Sequence, residues 1–179
     1  MRILLIGGGK SGKSTMAQRL AAALSGDAPR YYWATMTPHD DEDLARIRRH
    51  VTDRAGMDFI TVERSFDLPA VLPDIDRRGT VLFDSVTAGL SEQMFPGAQP
   101  DGGAGERVLR QLLDISCHPA HFIAVCDDIW HGGEDYRDWT EIYVRSLANI
   151  CRGLAAEFDV VCEMTAGIPR LWKGELPRV

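Results

Sequence analysis

The sequence predicts an α/β fold, a three-layer sandwich with helices on both faces of a mainly parallel central sheet. Three observations carry this. Short, nearly continuous apolar runs recur along the chain, as strands buried on both faces require. Amphipathic helical patterns alternate with those runs, the signature of crossover units. Finally, 179 residues with a 45% hydrophobic and 26% charged composition suit one well-buried core, so residues 1–179 are read as a single domain.

The elements follow in order. Arg2–Ile6 is the first strand, and Lys13–Leu24 is a helix with Met16, Leu20 and Leu24 on one face. Tyr31–Thr35 is the second strand. Asp41–Arg54 is a helix whose Leu44, Ile47 and Val51 are expected to face the core. A weaker strand covers Phe59–Val62, and Thr80–Asp84 is a stronger one. Gly105–Ile115 is helical through Val108, Leu112 and Ile115. Phe122–Cys126 is a strand, Asp138–Phe158 the longest helix, and Val160–Thr165 the last strand predicted by pattern. Pro96–Gly105 and His131–Tyr136 read as loops, each too short to link domains.

The turn after the first strand carries the chemistry. Gly7 to Ser14 reads GGGKSGKS, a full match to the phosphate-binding pattern G-x-x-x-x-G-K-[ST], placed between a strand and a helix as its mechanism requires. Glycines let backbone N–H groups approach phosphate oxygens, and the helix N-terminus adds partial positive charge. The nucleotide-binding residues expected from this segment, the P-loop, are Gly7, Gly8, Gly9, Lys10, Ser11, Gly12, Lys13, Ser14 and Thr15. Lys13 neutralises the β/γ-phosphates and the Ser14 hydroxyl ligates Mg²⁺. Asp84, ending the apolar strand Val81-Leu82-Phe83, is the matching metal-side carboxylate. It or Ser85 could equally serve as the N-cap of a following helix.

Composition sets limits. A net charge of −6 argues against a general nucleic-acid or anionic-membrane surface. Cys117, Cys126, Cys151 and Cys162 show no C-x-x-C spacing, so they read as small core residues in a reducing compartment. No run approaches the roughly 18 apolar residues of a membrane span, and no signal peptide fits the start. The expectation is a cytoplasmic protein.

The segment DDEDLARIRRHVTDR (residues 40–54) is acidic at its start and basic later, which suits a helix dipole. Arg46 and Arg54 each lie four residues from His50, giving that side of the helix a cationic flank. Such a flank would suit phosphate and leave a His50 ring nitrogen as a candidate nucleophile. On these residues alone, a solvated charged helix with an incidental histidine explains the pattern as well.

With these motifs in order, the sequence resembles the adenosylcobinamide kinase / adenosylcobinamide-phosphate guanylyltransferase family of cobalamin biosynthesis. After GGGKSGKS come Tyr32-x-Ala34-Thr35, Asp41-Glu42, Arg46-Ile47-x-x-His50 and Phe59-x-Thr61-x-Glu63. Leu82-Phe83-Asp84-Ser85-Val86-Thr87 follows, then Ala166-Gly167-Ile168-Pro169 and Lys173 near the C-terminus. The chain departs from the family pattern in three places. Asp127–Gly133 replaces an Asn-Glu-Val-Gly-type loop, Arg54-Ala55 and Phe59 stand for Arg-Pro and Trp, and Ala148 and Cys151 stand for Gly and Asn.

The resemblance implies that His50 attacks the α-phosphorus of GTP to form a GMP–histidine, and that Lys13 serves γ-phosphoryl transfer from GTP or ATP with Mg²⁺. It adds Thr35, Arg46, Arg49, Arg54 and Glu63 to the nucleotide or phosphate contacts. It further implies a corrinoid acceptor and a homo-oligomer, a trimer being one form. The alternatives are another small-molecule P-loop kinase without a covalent step, and a nucleotide-binding module without catalysis.

Overall fold

The computed structural model describes residues 1–38, 40–130 and 137–178, the side chains of Arg46 and Asp53 excepted. Seven strands form one sheet in the order β3-β2-β4-β5-β1-β6-β7. They are β1 (Arg2–Gly7), β2 (Arg30–Ala34), β3 (Phe59–Glu63), β4 (Thr80–Asp84), β5 (His121–Asp127), β6 (Val160–Thr165) and β7 (Ile168–Lys173). All neighbours run parallel except β6 and β7, which form an antiparallel hairpin. The helices are α1 (Lys13–Ser25), α2 (Asp41–Asp53), α3 (Val86–Met94), α4 (Ala104–Ile115) and α5 (Asp138–Glu157), with a 3₁₀ segment at Leu68–Asp74. The predicted loop His131–Tyr136 lies outside the described residues.

Strand alternation divides the core into two layers. Ile3, Leu5, Leu82, Ile123 and Val125 meet Ala17, Leu20 and Ala21 of α1 on one face. Leu4, Phe83, Phe122 and Ala124 meet Leu90, Val108, Leu112, Leu147, Ile150 and Leu154 of α3, α4 and α5 on the other. This is the predicted three-layer sandwich. Helices α4 and α5 approach closely because Gly105 lies against Ser146, where a Cβ would come within 2.7 Å of the serine Cβ.

Three expectations change. Periodicity predicts neither strand β7 nor helix α3 as a separate element; β7 is exposed throughout, so no buried alternation marks it. Helix α2 does not bury Leu44, Ile47 and Val51 in the core. Leu44 is 40% and Val51 50% exposed, because this helix turns its apolar side toward a cavity. Cys117 is exposed, whereas Cys126, Cys151 and Cys162 are buried as expected.

Candidate active site

Register brings the predicted residues to one edge of the sheet. Gly7 pairs with Asp127, Ala34 with both Asp84 and Glu63, so the carboxyl ends of β1, β5, β4, β2 and β3 line up. In open parallel sheets that edge is where ligands bind.

The cradle is built first. Gly7 must be glycine, because a Cβ there would collide with the Met164 carbonyl oxygen and come within 2.8 Å of Ser11 Oγ. Gly12 has φ +94° and opens α1 without a side-chain cap, so the first helical amides are free for an anion. The Gly167 N–H donates to the Ser11 carbonyl at 3.0 Å and bolts the loop to the β6–β7 turn. Lys13 is buried. Its Nζ donates to the Gly8 carbonyl at 2.7 Å and lies 2.9 Å from Asp127 Oδ1. Gly8, Gly9, Lys10 and Thr15 are exposed, and Ser14 is half-buried.

A second cluster lies along β2, β3 and β4. A cavity of about 430 Å³ is lined by Thr35, His50, Arg54, Glu63 and Asp84, together with Tyr32, Thr61 and the apolar residues Leu44, Ile47 and Val51. Asp40 caps α2 by accepting from the Asp43 N–H at 2.8 Å, which fixes the helix that carries His50. Arg54 ends that helix as its C-cap and lines the same cavity as His50. Its guanidinium lies 4.0 Å above the Tyr32 ring centre and donates to Thr61 Oγ1 at 3.3 Å.

At the end of β4 the two roles proposed for Asp84 and Ser85 separate. Ser85 is the cap of α3, accepting from the Ala88 N–H at 3.2 Å. Asp84 instead accepts from the Tyr32 hydroxyl at 2.9 Å and faces the cavity. The Thr35 hydroxyl donates to the Ser85 carbonyl at 2.8 Å, and its oxygen accepts from the Ser85 N–H at 3.0 Å. Thr35 therefore clamps the backbone beside Asp84.

The cavity does not reach every predicted residue. Arg49 is exposed and is not among the lining residues, and the Arg46 side chain lies outside the described atoms. None of the P-loop residues lines the cavity either. Ser14 follows β1 and Asp84 ends β4, and β5 lies between those strands. A hydroxyl and a carboxylate are hard oxygen donors that fit Mg²⁺. Among the described residues no group of three His, Cys, Asp or Glu side chains converges as a metal cage.

Sequence reading missed the partner of Lys13, although a signal was present. Asp127 ends an apolar strand just as Asp84 does, so both acids had the same claim to the strand-end position. The contact of Tyr32 with Asp84 had no comparable signal.

A family model described as cobinamide kinase / cobinamide phosphate guanyltransferase matches residues 3–171. The chain belongs to the cobinamide kinase / cobinamide phosphate guanyltransferase family. Members of this family are enzymes, and curated relatives match almost end to end. "Bifunctional adenosylcobalamin biosynthesis protein CobP" of Pseudomonas aeruginosa is 31% identical over 98% of this chain and 99% of its own length. "Bifunctional adenosylcobalamin biosynthesis protein CobU" of Salmonella typhimurium is 30% identical over 94% of this chain and 97% of its own.

Solved structures extend the fold beyond the family. An ATPase from a type III secretion system has a TM-score of 0.59 at 14% identity, covering 92% of this chain and 51% of that one. A second solved ATPase domain has a TM-score of 0.53 at 11% identity, over 90% of this chain and 68% of that one. Identities this low speak to the fold alone, an α/β fold that this chain shares with them. Among the described residues, no helix is long and apolar enough to cross a membrane.

Proposed function

We propose that this chain is a bifunctional adenosylcobinamide kinase and GTP:adenosylcobinamide-phosphate guanylyltransferase that works through a GMP–histidine at His50. The observation that carries the reading is the shared cavity: His50, the buried cation Arg54 and the carboxylate Glu63 line one space beside Asp84. Family membership supplies the substrate class.

In guanylyl transfer, the lone pair of a His50 ring nitrogen attacks the α-phosphorus of GTP. An N–P bond forms, the bond from the α-phosphorus to the bridging oxygen breaks, and pyrophosphate leaves with that electron pair. A phosphate oxygen of adenosylcobinamide-phosphate then attacks the same phosphorus, and the N–P bond breaks to give adenosylcobinamide-GDP. Two easier transfers replace one hard transfer. Arg54 is a planar donor suited to the α-phosphate oxygens, and Glu63 is available to guanine, ribose or a proton.

In the kinase step, the aminopropanol hydroxyl oxygen attacks the γ-phosphorus, its proton departs to solvent or a carboxylate, and the bond to the β-phosphate breaks. The P-loop amides hold the triphosphate and Lys13 neutralises charge on the transferred group. Ser14 and Asp84 would hold Mg²⁺, which would supply charge neutralisation at the phosphates. Arg46 and Arg49 of α2 are proposed to meet the incoming phosphate. Leu44 and Val51, exposed yet lining the cavity, support a homo-oligomer, such as a trimer, whose neighbouring subunit helps cover the corrinoid.

The test is α-³²P-GTP labelling with Mg²⁺, followed by denaturation. Acid-labile, base-stable label on wild type that is absent from His50→Ala is the expected result. A wild type that binds GTP but never takes label removes guanylyl transfer, and phosphorylation of adenosylcobinamide then separates a kinase from a binding module.

A further inference from the structure

We infer that Tyr32 is a positioning residue that ties the metal-side carboxylate Asp84 and the cavity cation Arg54 to one rigid support. The inference rests on the proposed function for what the two ends do. The geometry itself stands on the structure.

Tyr32 is only 5% exposed and sits on the central part of β2, between β3 and β4. Its ring packs edge-on against Phe59 at 6.2 Å between centres, so the phenol is fixed from the side of β3. One face of that ring carries the Arg54 guanidinium at 4.0 Å. The phenol hydroxyl donates to Asp84 Oδ2 at 2.9 Å. A single planar side chain thus contacts a cation on one helix end and an anion on one strand end.

Neither neighbour has another comparable anchor among the described residues. Arg54 is 9% exposed, and its other described contact is a 3.3 Å hydrogen bond to Thr61. Among the described residues, no carboxylate is paired with it. A buried guanidinium in that state is held in place largely by the ring beneath it, since cation–π attraction strengthens when water is excluded. Asp84 lies at a strand terminus, where a carboxylate has rotational freedom unless a donor fixes it. The Tyr32 hydroxyl leaves one carboxylate oxygen committed and the other oriented for a metal or its water.

Function follows from this coupling. The kinase step depends on Asp84 and guanylyl transfer on Arg54, so one residue sets the geometry of both without contacting a reacting atom. Tyr32→Phe removes the hydroxyl alone, while Arg54→Lys keeps the charge and removes the planar stack.

The experiment measures binding of a fluorescent N-methylanthraniloyl GTP as a function of Mg²⁺, with melting temperature recorded for every protein. This readout does not require any transfer, so failure of the histidine-labelling test leaves it intact. Half-saturating Mg²⁺ is expected to rise about tenfold in Tyr32→Phe. In an Asp84→Asn background the same change should add no further shift, since the two residues act as one unit. Where the histidine label forms, Arg54→Lys is expected to lower it about tenfold, which reads the contact on the ring face. If Tyr32→Phe lowers the melting temperature while its Mg²⁺ dependence matches wild type, Tyr32 is a core residue and the inference is wrong. An additive shift in the Asp84→Asn background overturns it equally.

Discussion

Lys13 Nζ lies 2.9 Å from Asp127 Oδ1, an ion pair in which the lysine is almost fully buried and the aspartate about one-quarter exposed. The lysine that should neutralise phosphate already has an anion. Binding a triphosphate must therefore exchange a carboxylate for phosphate at this ammonium. Asp127→Asn is expected to raise triphosphate affinity about tenfold, or roughly 1.4 kcal/mol. The nucleotide-free protein should lose about 2 kcal/mol of stability, because a buried cation loses its partner. Calorimetric titration and urea unfolding measure the two; weaker nucleotide binding in Asp127→Asn would show that the carboxylate assists rather than competes.

Gly7→Ala should damage cradle and fold together. The added methyl meets a backbone carbonyl, that of Met164, which cannot rotate away as a side chain would. A cost of about 2–3 kcal/mol is expected, with loss of measurable triphosphate binding. A melting curve matching wild type would mean that the β6–β7 turn yields freely and that the close approach is not a constraint.

Thr35→Val keeps shape and removes one hydroxyl. That hydroxyl serves both the N–H and the carbonyl of Ser85, and Thr35 is 1% exposed, so water cannot replace it. Stability should fall by about 2 kcal/mol or more. Thr35→Ser should recover most of it, as judged by chemical denaturation; equal losses for Val and Ser would point to the methyl group instead.

Burial holds the Cys126 thiol well above the usual thiol value of 9.0, and burial likewise raises Cys162 and the Tyr143 phenol. The folded state therefore keeps protons that the unfolded chain releases once pH exceeds about 9. The contribution of these three groups should be level from neutral pH up to that point and decline above it, seen as a falling melting temperature. Below it, only exposed Cys117 should react readily with a thiol reagent. Rapid modification of Cys126 at neutral pH would contradict its burial.

Much of the architecture was readable before any coordinates. Continuous apolar runs such as Ile3-Leu4-Leu5-Ile6 marked strands buried on both faces. GGGKSGKS fixed the strand–turn–helix junction through the chemistry of glycine and lysine. The exposed strand β7 escaped periodicity because none of its side chains is buried, and α2 misled it. Leu44, Ile47 and Val51 have the spacing of a core face, but spacing records only that a face is apolar. Whether protein interior, ligand or partner covers that face is a property of where the helix is placed.

The sequence by itself determined the nucleotide cradle, the two-faced α/β sheet and the family, because these follow from local backbone geometry, apolar periodicity and ordered motifs. Only the tertiary structure decided that Lys13 rests on Asp127, that Tyr32 joins Arg54 to Asp84, and that His50 shares a cavity with Glu63. Those contacts link residues 13 to 127, 32 to 84 and 50 to 63 through the order in which strands lie side by side. Strand order arises from crossover connections across the whole chain, and no local pattern of residue types encodes it.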